Sequence, residues 1–131
     1  MSEIARGEFV VQLAPLPVEG QADASKIGRM SIEKTITGDL VATTRGQMLS
    51  AMTEIKGSAG YVAIERVEGS LKGKKGSFVL QHTGTMARGS PSLSVTVVPD
   101  SGTGELVGLA GDFTIIIVGG KHSYEFKYTL P

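Results

Sequence analysis

The chain has no cysteine. Disulfides, thiolate nucleophiles and thiolate metal sites are therefore excluded. Charge of either sign is not in excess. Lys and Arg number 13, Asp and Glu number 13, and the net charge is zero with His neutral. A nucleic-acid binder needs a basic face to meet phosphate, so no nucleic-acid partner is expected. The one basic cluster, Lys72, Lys74 and Lys75, reads as an exposed hairpin tip without interleaved aromatics. Long apolar runs are also missing. The longest, Phe113 to Val118, contains Thr114 and falls far short of the ~20 residues of a membrane helix. The N-terminal stretch MSEIARGEF carries Glu3 and lacks the apolar core of a signal peptide. A cytoplasmic protein with no membrane partner is the expectation.

What is abundant is glycine, with 18 residues spread among β-like runs in a chain of 131. That is about twice the average usage of ~7%, and it marks turns, bulges and bends. The length fits one domain covering residues 1–131. Gly60 to Gly84 organises the rest. Tyr61, Ala63, Glu65 and Val67 alternate with Val62, Ile64, Arg66 and Glu68. After a Lys/Gly turn, Phe78, Leu80 and His82 alternate with Val79, Gln81 and Thr83. This is a β-hairpin. A loop of Lys74-Lys75, or of Gly73 to Gly76, puts Tyr61, Glu65, Phe78, Leu80 and His82 on one face.

Earlier in the chain, Phe9, Val11 and Leu13 mark a strand that Pro15 and Pro17 are expected to end. Residues 18–28 read as a polar loop. Met30, Ile32, Lys34 and Ile36 share one face of a second strand, ended by Gly38-Asp39, and Leu40 to Thr44 runs back. Gln47 to Ile55 fits a helix face or a bulged strand, and its neighbours favour the strand. Leu93, Val95 and Val97 form another strand, and a long one is expected from Leu106 to Val118. Gly119-Gly120 suits a two-residue turn with positive φ at both positions. That register pairs Phe113 with Phe126, Ile115 with Tyr124, Ile117 with His122 and Asp112 with Lys127. Phe113, Ile115, Ile117, Tyr124, Phe126 and Tyr128 then form one apolar face. About eight strands in a meander with little helix give the fold class: all-β, a single closed antiparallel β-barrel.

Five stretches carry a family resemblance: GQMLSA (46–51), GSAGYVAIE (57–65), GSFVLQHTG (76–84), VVPDSGTGELVGLAG (97–111) and HSYEFKYTLP (122–131). They resemble a bacterial domain-of-unknown-function family, numbered 3224, whose fold is described as an allene-oxide-cyclase-like β-barrel. Lys127 departs from the pattern, where an acidic residue is expected between the aromatics. The resemblance implies the barrel and no accepted reaction. Allene oxide cyclase and dirigent proteins, which share the wider fold, steer apolar reactive guests, and this link is fold analogy alone.

The candidate site is Glu65 and His82 as proton-transfer groups, with Tyr61, Phe78 and Tyr124 as ligand contacts. A carboxylate can orient an imidazole that acts as a base, and a phenol can donate to a guest. The plain alternative is a Glu65–His82 pair that is retained because both partners are satisfied. His82 and His122 are the only imidazoles, and neither has a second ligand at metal-binding spacing, so no metal and no cofactor are expected. The leading reading is a barrel that binds a small molecule and assembles as a homo-oligomer through the apolar outer face of Val62, Ile64 and Val79. The alternative is an enzyme. It would be an isomerase or cyclase using Glu65 and His82, or an aspartic-type peptidase pairing carboxylates such as Asp100, Asp112, Glu105 or Glu125. Asp100-Ser101-Gly102 occurs once, so such a dyad would need two subunits.

Overall fold

The structure, a computed structural model, describes residues 2–17 and 27–131. Eight antiparallel strands follow one another around a closed barrel: β1 (Glu3–Leu16), β2 (Ile27–Gly38), β3 (Leu40–Met52), β4 (Ala59–Leu71), β5 (Lys74–Ala87), β6 (Ser90–Val97), β7 (Ala110–Val118) and β8 (Lys121–Thr129). The ring closes where β8 pairs with β1, with Phe9 opposite His122 and Glu3 opposite Tyr128. Closure removes the free edges that an open sheet would expose. No described helix is long and apolar enough to cross a membrane.

The period-two pattern sets the inner face. Inward positions include Phe9, Ile36, Leu40, Ala42, Val67, Phe78, Leu80, Val95, Phe113, Phe126 and Tyr128, all buried. The Gly119-Gly120 turn has φ of 58° and 78°, and its strands pair in the register expected. The central hairpin turns earlier than expected. Its loop is Lys72-Gly73, with φ of 47° and 86°, so Glu65 faces Leu80 and Tyr61 faces Gly84. A two-residue turn of this type needs positive φ at both positions. Lys74-Lys75 has no glycine to supply it, whereas Gly73 does. The slip is even-numbered, so the face assignment is unchanged.

Three other expectations are corrected. β1 runs through Pro15, which lies opposite Met30. The pairing with β8 stops at Phe9, so this part of β1 is an edge, where a missing donor is tolerated. The ambiguous segment is strand as far as Met52 and then leaves the sheet, so Ile55 lies outside it. Leu106 does not start a long strand. It ends a short 3-10 turn (Gly104–Leu106), and β7 begins at Ala110. Gly104 and Gly108, with φ of 60° and 84°, bend this segment and tuck Leu106 and Leu109 into the core. Of the polar loop expected at 18–28, residues 18–26 lie outside the described residues, and Ile27 and Gly28 already belong to β2.

The two barrel ends differ. At one end the interior is filled. Phe78 stacks on Phe126, Phe126 on Tyr128 and Phe113 on Tyr124, with Leu106 and Leu109 beneath. At the other end burial falls along the inward positions of several strands. It falls from Phe9 at 5% to Leu13 at 48%, from Val95 at 4% to Leu93 at 46%, and from Phe113 at 2% to Ile117 at 62%. The interior here is apolar and open.

Candidate functional site

Four inward side chains form a polar chain between the packed end and the open end. Lys34 on β2 is buried and places Nζ 3.1 Å from Glu65 Oε1. Nζ also stands 4.8 Å from the centre of the Phe9 ring and 6.0 Å from that of Phe113, where ring faces attract a cation. Glu65 on β4 is fully buried. The same Oε1 lies 2.8 Å from His82 Nε2 on β5. His82 Nδ1 is 3.2 Å from the Tyr61 hydroxyl, back on β4. Between β2 and β4, strand β3 contributes Gly46 opposite Glu65. A Cβ on Gly46 would stand 2.2 Å from the Ile64 carbonyl oxygen, so only glycine fits this close approach of the two strands.

Electrostatics set the charge states. Burial pushes the Glu65 carboxyl up. The His82 hydrogen bond, the Lys34 ammonium and the neighbouring Thr44 hydroxyl outweigh that effect and hold it at about 2. Thr44 Oγ1 itself accepts the Lys34 backbone N–H at 3.1 Å. Among the described residues none donates to the buried Glu65 Oε2 within hydrogen-bonding geometry. Burial, and then the Glu65 charge, push the Tyr61 phenol up, so it keeps its proton.

Tyr61 leads into the open end. There a cup of about 420 Å³ is lined by Met48, Ala59, Tyr61, Gly84, Met86 and Leu93, among others, almost wholly apolar. Gly84 faces the Tyr61 ring, and a Cβ there would stand 2.4 Å from Tyr61 Cε1. The missing side chain is what gives the ring its place.

Of the residues singled out in the sequence, Glu65, His82 and Tyr61 come together. Phe78 and Tyr124 do not join them: both belong to the packed end. The Tyr124 hydroxyl donates to the Thr37 carbonyl at 2.7 Å and accepts the Leu40 N–H at 3.0 Å, so it latches the β2–β3 turn. Lys34 joins Glu65, His82 and Tyr61 with no sequence signal beyond its place in the inward stripe of Ile32 and Ile36. His122 lies against the Phe9 ring, with ring centres 5.3 Å apart. Among the described residues no three possible His, Asp or Glu ligands converge. Asp100, Glu105 and Asp112 are exposed, and Glu105 accepts the Lys75 N–H. Among the described residues Glu65 is the one buried carboxylate.

A family of proteins of unknown function, DUF3224, matches residues 5–128. The chain belongs to the DUF3224 family. A crystal structure of a DUF3224 protein of unknown function from Shewanella oneidensis MR-1 is 48% identical. It covers 100% of this chain and 98% of its own, with a TM-score of 0.94. The match therefore takes in every element that builds the cup and the polar chain. Among curated proteins none matches.

Proposed function

We propose that this DUF3224 barrel binds a small, uncharged, largely apolar guest in the cup at its Tyr61 end. The observation that carries this is the asymmetry of the interior. One end is packed with stacked aromatics. The other is an apolar cup with one braced phenol on its wall. Small-molecule sites are apolar concavities with a few placed polar groups. The cup size is within the ~300–1,000 Å³ usual for them. Met48 and Met86 add an adaptable lining. The expected likeness to allene oxide cyclase supports a housed guest by fold analogy only.

The test is a native mass spectrum of freshly purified protein beside a denatured one, together with Ala59→Phe, which fills the cup. An extra mass that disappears on denaturation, and that is missing from the variant, supports binding. An unchanged adduct in the variant places the guest elsewhere and overturns the reading. No adduct, and no binding of added naphthalene derivatives, also overturns it. The same spectrum counts subunits. A homo-oligomer is proposed on Val62 and Ile64, which are exposed on the outer face of β4 beside exposed Leu49 of β3.

A second reading is an isomerase or cyclase. The continuous phenol–imidazole–carboxylate chain favours it, since such a chain can move a proton between guest and His82. Loss of turnover in Glu65→Gln with the guest still bound would support it. The paired-carboxylate peptidase has less support, because the exposed Asp and Glu residues share no buried site within one chain.

A further inference from the structure

We propose that the guest is recognised through a hydrogen-bond donor of its own, such as a hydroxyl, which it gives to the Tyr61 oxygen. This inference rests on the cup-binding reading and deepens it. The argument is a count of protons along the chain. An ionised carboxylate only accepts hydrogen bonds. Glu65 Oε1 receives Lys34 Nζ at 3.1 Å and His82 Nε2 at 2.8 Å, so Nε2 carries a proton. In a neutral imidazole the other nitrogen is then bare and accepts. For that neutral form, beside a Glu65 whose charge Lys34 already balances, the phenol donates to His82 Nδ1, 3.2 Å from its oxygen. A phenol has one proton. The lone pairs it keeps are what it can offer a guest.

Lys34 keeps N–H groups beyond the one given to Glu65, but its ammonium is buried against the Phe9 and Phe113 rings and does not line the cup, while Glu65 Oε2 is an acceptor. A guest bearing only acceptors, such as an ether or ketone, would face the phenol oxygen lone pair to lone pair. The cup also holds the Ser50 hydroxyl, which can turn either way and therefore does not set the preference. The charged and titratable groups around His82 are Glu65 and Tyr61 from β4 and, through the shared carboxylate oxygen, Lys34 from β2. From β6 the facing residue is Val95. Ion pairing of Lys34 with Glu65 leaves no net charge for a charged guest to meet.

The experiment compares 2-naphthol with 2-methoxynaphthalene, the same skeleton with and without a donor, by calorimetric titration of the full chain and of Tyr61→Phe. One hydrogen bond contributes about 1 kcal/mol net, so the wild type should prefer the naphthol roughly five- to tenfold. Tyr61→Phe should bind both alike. Equal binding of the two probes by the wild type, or a preference for the ether, overturns the donor inference and leaves the cup intact. A naphthol preference that survives in Tyr61→Phe overturns it as well. Failure of both probes to bind overturns the binding reading itself. The wild-type comparison decides the matter even where the variant folds poorly.

Discussion

Lys34 and Glu65 meet 3.1 Å apart inside the barrel, one from β2 and one from β4, across an intervening strand. Removing one partner of a buried pair leaves an uncompensated charge. Lys34→Met should therefore lower unfolding stability by about 3–5 kcal/mol, measured by urea denaturation. Pairing it with Glu65→Leu should recover most of the loss. A single-variant loss below about 1 kcal/mol would contradict the buried ion pair.

Acid should act through Glu65. Its carboxyl is held at about 2, below its ordinary 4.5, because the folded state favours the charged form. A depressed folded value stabilises above the unfolded value and is lost as pH falls through the folded one. This contribution is full above about pH 4.5 and drains away towards about pH 2. It is on the order of 3 kcal/mol for a shift of this size. Urea midpoints across that window should fall in the wild type and fall less steeply in Glu65→Gln.

Tyr124→Phe separates the two barrel ends. It removes the phenol that bridges Thr37 and Leu40, so the barrel should lose about 1–3 kcal/mol. Affinity for 2-naphthol should stay unchanged. A large drop in affinity at unchanged stability would restore Tyr124 as a ligand contact.

Gly84→Val should act in the opposite way. The added side chain takes the space of the Tyr61 ring and displaces the phenol from His82. The naphthol preference over its ether should shrink towards unity in the same titration.

Parity made much of this legible from the sequence. Alternation placed Tyr61, Glu65 and His82 on one face, and an even shift of the turn could not undo it. The Gly119-Gly120 register held because both strands agreed on their buried side. Lys34 was visible in the stripe Met30, Ile32, Lys34, Ile36, but its partner lies two strands away, where no local spacing points. The cup was not legible either. It depends on where Leu106 and Leu109 fold in to fill the opposite end, and alternation says which way a side chain faces but not at what depth it lies.

β6 and β7 are joined by a single ladder pair, Thr96 with Asp112, while every other seam carries a run of consecutive pairs. Beside that pair lies a groove bordered by Leu93, Ser94, Phe113 and Ile115. A ring with one weak stitch opens there first, because local opening follows the least-supported backbone bonds. Amide deuterium uptake should run ahead in β6 and the first half of β7 and lag in β4. A guest that slows uptake along that seam would be one whose passage uses a side door in the wall of the cylinder.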